Sequence, residues 1–131
     1  MDAYTERNCI LAELGYKDYR AYLRSQLWKD IRARKLAQDQ SCYGCGREQF
    51  LQVHHSEYSL QNLTGTTLDG LWSVCARCHR WCEVTKSGQK RNPDQATKEL
   101  FRIRKLYDSR RNVKMDSRTV FISRDVSRRM R

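Results

Sequence analysis

The chain lacks any long apolar run, and its first residues lack the pattern of a secretory leader. No stretch approaches the roughly 20 apolar residues that a membrane-spanning helix needs. Residues 1–14 carry Asp2, Glu6, Arg7 and Glu13 and contain no apolar central region. We therefore expect a soluble, cytoplasmic protein with no membrane partner, in which the six cysteines stay reduced and form no disulfide scaffold.

Acidic residues are few compared with basic ones. The 131 residues include 26 Lys and Arg against 15 Asp and Glu, which gives a formal net charge of +11. Such an excess favours a polyanionic partner, and nucleic acid is the first candidate. A basic surface that is simply solvated remains the alternative, because net charge alone specifies no binding groove. At this length we expect one domain with a modest apolar core that a structural metal would reinforce.

Residues 1–38 form the first of three segments and are predicted to be a helical lead-in. Apolar residues at helical spacing indicate helices over residues 4–14 and 17–38, the first of them ended by Gly15. Ser25 can act as an N-cap, so it can divide the second stretch into two helices.

Residues 39–85 form the predicted core, and residues 86–131 a C-terminal helix with a basic tail. In the core we expect strands over residues 50–55 and 71–74, a long loop over residues 56–70, and a helix over residues 78–84. After a linker, Pro93 is suited to begin a helix that runs to about Tyr107. Residues 108–131 carry a net charge of +5 and are expected to form a flexible or edge-docked arm, either for nucleic acid or for solubility.

Four of the six cysteines form two Cys-x-x-Cys pairs, Cys42 with Cys45 and Cys75 with Cys78. A two-residue spacer lets one tight turn present two sulfurs to the same ion, and four thiolates complete a tetrahedral zinc site. We expect a structural Zn²⁺ there. Cys9 and Cys82 lie outside the pairs and are predicted to be packing residues.

All three histidines of the chain fall in or beside the segment between these pairs. The combined motif is Cys42-x-x-Cys45, then Val53-His54-His55, then Leu71-Trp72-Ser73-Val74-Cys75-x-x-Cys78-His79. With this motif the chain resembles the HNH endonucleases over residues 19–83. The resemblance implies an α+β fold with a small zinc-stabilised ββα-metal core, flanked by N-terminal and C-terminal helices.

The resemblance also implies the chemistry. His54 and His79 become ligands of a catalytic divalent cation (Mg²⁺, Mn²⁺ or another divalent transition metal), and His55 becomes the general base. The implied activity is that of a metal-dependent endonuclease or nickase that hydrolyses DNA phosphodiester bonds. Because adjacent residues on a strand point to opposite faces, His54 and His55 are expected at a strand end or a bulge.

Two positions depart from the family pattern. The family has an asparagine in the middle of the motif, and the corresponding position in this chain falls near Asp69 and Gly70. Asn62 is too early in the loop, so Asp69 is the candidate for orienting His55. A further histidine that the family often has four residues after His79 is replaced by Glu83. Since one helical turn separates His79 from Glu83, this carboxylate is a candidate third ligand, with an ordinary surface glutamate as the alternative.

The expected partner is DNA, double-stranded in the first instance, with a homodimer or a larger phage or defence complex left open. The candidate phosphate contacts are basic residues at and after the second cysteine pair, namely Arg77, Arg80, Lys86, Lys90 and Arg91. Trp72, Trp81 and Tyr58 are predicted to pack in the core around the zinc site rather than to stack on bases. The competing hypothesis is a catalytically inactive zinc-binding module that binds nucleic acid or a protein partner.

Overall fold

The structure, a computed structural model, describes the backbone of residues 2–116 and the side chains of residues 2–110. Six helices and one two-stranded sheet are present in that part of the chain. Their order is α1 (Ala3–Glu13), α2 (Tyr19–Leu23), α3 (Gln26–Asp39), β1 (Leu51–His55), α4 (Leu60–Thr64), β2 (Leu71–Cys75), α5 (Ala76–Glu83) and α6 (Pro93–Asp116). The fold is therefore α+β, as the sequence predicts.

The N-terminal helices begin at side-chain caps. Asp2 accepts a hydrogen bond from the Thr5 backbone N–H at the start of α1. Ser25 accepts one from Trp28 N–H at 3.2 Å and begins α3, which confirms the predicted division of residues 17–38. The predicted first helix is also confirmed within one residue at each end.

The two strands pair antiparallel, with Leu51 opposite Cys75 and His55 opposite Leu71. Helix α5 starts at the residue after β2, so the hairpin passes directly into a helix that packs on both strands. His55 is the last residue of β1, and His54 precedes it. The predicted strands are thus observed, and the histidine pair lies at the expected strand end.

The connection between the strands is not the unstructured loop expected over residues 56–70, because it contains the short helix α4. Ser59 caps this helix, and the Ser59 and Asn62 side chains bond each other's backbone N–H in a capping box. Asn62 is fully buried, and its Nδ2 also donates to the Glu57 carbonyl at 2.8 Å. Three hydrogen bonds therefore hold the connection at Asn62, the residue that seemed too early in the sequence.

Helix α6 runs beyond the predicted end near Tyr107 and reaches Asp116. One reason is favourable spacing of charge, since Arg104 and Asp108 form an i,i+4 ion pair at 3.6 Å. The arm predicted for residues 108–131 therefore begins inside a helix, and its residues 117–131 lie outside the described part of the chain.

Two apolar clusters lie on opposite sides of the hairpin. One surrounds the paired cysteines and includes Val74, Leu100 and Ile103, which joins α6 to the sheet. The other joins α1, α2, α3 and α4 and includes Leu11, Tyr22, Ile31 and Leu63. Within residues 2–116, every helix is too short or too polar to cross a bilayer.

Replacing Asn62 with Ala is expected to lower the free energy of unfolding by about 2 kcal/mol, because two partners lose their hydrogen bonds in a buried place. Urea denaturation of the zinc-loaded protein measures the change. Asn8→Ala, at an exposed position of α1, is the control and should be nearly neutral. Equal stability of the two variants would contradict the bracing role of Asn62.

Candidate metal centres and their cleft

The four paired cysteines come together as predicted. Cys42, Cys45, Cys75 and Cys78 are buried, and their sulfurs all lie within 4.8 Å of one another. All six cysteines of the chain are free thiols. The Sγ atoms of Cys45 and Cys75 are 3.8 Å apart, which matches the roughly 3.8 Å edge of a tetrahedron with Zn–S bonds of about 2.3 Å. The cluster therefore fits a metal ion such as Zn²⁺.

Local hydrogen bonds form the two halves of this cluster. In the first pair, Gly46 N–H donates to the Cys42 carbonyl at 2.9 Å, while Cys42 N–H donates to the Arg47 carbonyl at 2.7 Å. In the second pair, Cys75 is the N-cap of α5 and its sulfur accepts from Cys78 N–H. A bond from Tyr43 N–H to the Ser73 carbonyl ties the first turn to β2.

The crowded sulfurs shift the thiol pKa values in opposite directions: hydrogen bonds with neighbouring thiols raise the pKa of Cys42 and Cys78 and lower that of Cys45 and Cys75. Hydrogen bonding with Cys42 is the main cause that lowers the pKa of Cys45 to about 6. The same kind of contact, again with Cys42 first, holds the pKa of Cys75 well below its usual range. Thiolates are the form that binds Zn²⁺, so Cys45 and Cys75 favour the binding form, whereas Cys42 and Cys78 would release their protons when the ion binds.

A second group of metal-ligating atoms consists of His54, His79 and Glu83, whose ligand atoms also lie within 4.8 Å of one another. His54 comes from β1, whereas His79 and Glu83 come from one face of α5. Glu83 Oε1 is 2.9 Å from His79 Nε2 and 3.6 Å from His54 Nδ1. The structure thus brings Glu83 to both predicted histidine ligands, as the third-ligand hypothesis requires.

The remaining ring nitrogens of both histidines are engaged by neighbours that fix their tautomers. The Thr97 hydroxyl donates to the Pro93 carbonyl at 2.8 Å, so its oxygen accepts from His54 Nε2–H at 2.9 Å. The Gln52 carbonyl oxygen can only accept, so His79 Nδ1–H donates to it at 2.6 Å. The lone pairs of His54 Nδ1 and His79 Nε2 are consequently left to face Glu83.

Three acceptor atoms therefore converge without a donor between them. His54 Nδ1 is buried and has no hydrogen-bond partner. A carboxylate and two imidazole lone pairs need a proton or a cation among them. As metal ligands, these two nitrogens and one oxygen suit a divalent cation, and they leave coordination positions open for other ligands.

His55 points to the other face of the hairpin and lies against aromatic rings. Its ring centroid is 5.0 Å from those of Trp28 and Tyr58. The side chain is 4% exposed, and its Nε2 has no hydrogen-bond partner. Burial, followed by the proximity of His54 and His79, lowers the pKa of His55 to about 3. This imidazole is neutral near pH 7.

A cleft of about 430 Å³ connects the two faces at the strand end. Its lining includes His55 together with His79 and Glu83, so the His55 imidazole and two of the candidate ligands line the same space. Three cationic side chains also line it, Arg7, Arg32 and Lys90. Arg7 lies over the Tyr19 ring at 4.0 Å, and Arg32 donates to the Leu51 carbonyl at 3.0 Å.

The predicted role of Asp69 is not supported by its position. Asp69 is exposed, its backbone N–H donates to Thr67 Oγ1, and no hydrogen bond or ion pair joins it to His55 within the described residues. It lies two residues before the strand partner of His55, in a turn that faces solvent. Asn62, not Asp69, holds this part of the chain in place.

The five basic residues predicted to contact nucleic acid separate into different environments. Lys90 lines the cleft, whereas Arg80 and Lys86 are exposed beside a second groove. Arg77 donates to the Tyr107 hydroxyl at 3.1 Å. The Arg91 guanidinium donates to the Trp81 and Cys82 carbonyls at 3.1 Å and so caps the end of α5. Arg91 has a structural role that its charge alone did not indicate.

The predictions for the remaining side chains have mixed outcomes. Cys82 is fully buried and Trp72 packs against the cysteine cluster, which confirms both predictions. Tyr58 packs against the other cluster. Trp81 and Cys9 are exposed, so their prediction as core residues is wrong.

Sequence reasoning missed Thr97, Gln52, Arg7 and Arg32. Thr97 is 43 residues from His54, and Arg7 is in the first helix, so no local spacing connects them with the motif. In the sequence, Gln52 and Arg32 are polar residues of a predicted strand and a predicted helix, with no feature that marks them as functional. The fold places both beside the cleft. Only the i−2 position of Gln52 relative to His54, on the same face of β1, was a usable signal.

Comparison of the chain with models of protein families, with functionally characterised proteins and with solved structures finds no match. The geometry of the two metal-ligating groups therefore carries the functional argument.

Cys75→Ser is expected to remove tightly bound zinc, because it replaces one of four thiolates with a weakly coordinating hydroxyl. Wild-type protein should retain about one Zn²⁺ per chain at the cysteine cluster after dialysis, as measured by elemental analysis. Cys9→Ser changes an exposed thiol outside the cluster and should retain the zinc. Equal zinc content in both variants would contradict the assignment.

Thr97→Val is expected to weaken cation binding at His54, His79 and Glu83 by about tenfold or more, because the His54 tautomer loses its hydrogen-bond acceptor. Calorimetric titration of Mn²⁺ into zinc-loaded protein measures this affinity. Thr97→Ser keeps the hydroxyl and should bind Mn²⁺ nearly as wild type does. If Val and Ser behave alike, the hydroxyl does not position His54.

Proposed function

We propose that the protein is a metal-dependent endonuclease of the HNH type that hydrolyses phosphodiester bonds in DNA. In this proposal β1, β2 and α5 form the ββα-metal core, and the cysteine cluster is its structural zinc site. The observation that carries the proposal is a single cleft lined by a neutral imidazole, His55, and by two members of a three-residue group that could hold a cation, His79 and Glu83. Phosphodiester hydrolysis needs both parts, a base for water and charge stabilisation on the phosphate.

His54, His79 and Glu83 would hold the catalytic cation. When bound, a divalent cation stabilises charge on the phosphate and on the leaving oxygen. With only three protein ligands, coordination positions remain for substrate oxygens. Two imidazoles make the site softer than an all-carboxylate one, so Mn²⁺, Co²⁺, Ni²⁺ and Zn²⁺ are expected to support activity beside Mg²⁺.

His55 would take the proton from the attacking water. His55 is not one of the three candidate cation ligands, because it points to the other face of the hairpin. The His55 ring lies 5.0 Å from the rings of Trp28 and Tyr58, and these contacts hold the imidazole in a constant orientation at the cleft. Its low pKa keeps it unprotonated in the free protein, and the negative phosphate favours its protonated form once substrate enters.

Basic side chains at the cleft provide affinity for the DNA backbone. Arg7 and Lys90 have no carboxylate partner within 4.0 Å among the described residues, so their charges are available to phosphates. The Tyr19 ring under Arg7 restricts its guanidinium to the cleft side. One cleft of this kind cuts one strand per encounter, so nicking is the expected primary activity.

His55→Asn is expected to reduce nicking of supercoiled plasmid by about 100-fold or more, because it removes the proton acceptor. The assay compares Mg²⁺, Mn²⁺, Ni²⁺ and Zn²⁺, with Cys9→Ser as the control variant that should cut as wild type does. Zinc content, melting temperature and DNA binding of His55→Asn are measured in parallel, so that lost folding is separated from lost chemistry. Wild-type protein that binds DNA but never nicks it would favour the inactive zinc module. A variant that nicks as fast as wild type would exclude His55 as the base.

A further inference from the structure

A second groove of about 470 Å³ lies along α5, apart from the cleft that His55 lines. On one side it is lined by α5 residues and on the other by the turn that follows this helix. The lining consists of Arg77, Arg80, Trp81, Val84, Thr85, Lys86 and Gly88. No acidic residue is among them, so the groove presents only positive charge around an indole ring.

Trp81 differs from the other two tryptophans of the chain. Trp28 stacks with His55 and contacts Tyr22, and Trp72 contacts Tyr43 and Phe101. Trp81 is 45% exposed and makes no ring contact with an aromatic or cationic side chain in the described part of the chain. A large indole face is therefore open to solvent in a concave, basic place.

Helix geometry separates this indole from the catalytic ligands. Two residues along an α-helix correspond to a rotation of about 200°, so Trp81 points away from His79 and Glu83 on the same helix. The buried Cys78 and Cys82 occupy the remaining inner face. A ligand at Trp81 would lie across α5 from the cleft and would leave the cation site open.

The positive charges around Trp81 are available to a ligand. Arg80 and Lys86 form no ion pair among the described residues, whereas Arg77 is engaged with the Tyr107 hydroxyl. Lys86 lies in a closed turn, in which Thr85 N–H donates to the Gln89 carbonyl and Gly88 N–H to the Thr85 carbonyl. This turn holds Lys86 beside the indole, not on a free loop.

We infer that the groove at Trp81 binds single-stranded DNA, with one unpaired base stacked on the indole and flanking phosphates paired with Arg80 and Lys86. Stacking on an aromatic ring requires an open base face, which a duplex does not offer, whereas an unpaired strand does. The basic lining without acid matches a polyanion. The inference goes beyond the proposed hydrolysis, because binding at this groove requires neither His55 nor the second cation.

The test is fluorescence anisotropy with a labelled single-stranded DNA 12-mer and with a duplex of the same sequence, in buffer without added divalent cations. Trp81→Ala is expected to weaken single-strand binding by roughly tenfold, the loss of one stacked base, and to change duplex binding little. Phe50→Ala removes an aromatic ring that is 71% exposed elsewhere and should leave both affinities unchanged. A Trp81→Ala protein that binds the single strand as wild type does would overturn the inference, as would an equal loss for single strand and duplex.

Two further variants test the geometry. Trp81→Phe keeps an aromatic face, so it should retain most of the affinity while losing the quenching of tryptophan fluorescence by the DNA; quenching that persists would place the base elsewhere. The double variant Arg80→Ala, Lys86→Ala should reduce the magnitude of the slope of log K against log salt by about 1.4, because two phosphate contacts to a single strand are lost. An unchanged slope would overturn the phosphate assignment.

An RNA 12-mer that binds more tightly and loses affinity in Trp81→Ala would overturn the choice of DNA.

Discussion

The approach of four sulfurs to one point is the interaction on which the rest of the structure depends. It joins the turn before β1 to the junction of β2 and α5, two places that lie 30 residues apart in sequence between Cys45 and Cys75. Within residues 2–116 the sheet has two strands, and such a hairpin is marginal alone. With the cysteine cluster closed, the direction of α5 relative to β1 is set, and that direction determines whether His79 can meet His54. The cluster thus contributes to the second site through geometry rather than through contact.

The alternation of side chains along β1 assigns different roles to neighbouring histidines. His54 faces α5 and α6, where Glu83 and Thr97 surround it with acceptors. His55 faces α3, where Trp28 surrounds it with apolar surface. One imidazole therefore belongs to a group that could hold a metal ion and the other is neutral against aromatic rings, although both are the same residue type and adjacent in the chain. Because β1 ends at His55, both faces still open to a common cleft.

Local patterns made much of this arrangement predictable. The spacing of the cysteines predicted their cluster, the cap at Ser25 predicted a helix start, and the one-turn separation of His79 and Glu83 predicted that they share a face. Contacts between distant segments were not predictable in this way. Thr97 reaches His54 only because α6 packs on α5, and Arg91 turns from solvent to the carbonyls at the end of α5 only because the chain reverses after Val84. Short α4 was missed because a five-residue helix carries too little periodicity to distinguish it from a polar loop.

The bond between Thr97 and His54 also defines what must be carried along if this site is moved to another scaffold. A graft of residues 42–83, from the first cysteine pair through α5, would contain every histidine and both cysteine pairs of the motif. It would lack the first turn of α6, where the Pro93 carbonyl orients the Thr97 hydroxyl. The His54 ring would then be free to exchange its proton between nitrogens. The smallest transferable unit is therefore longer than the motif and extends at least through Thr97.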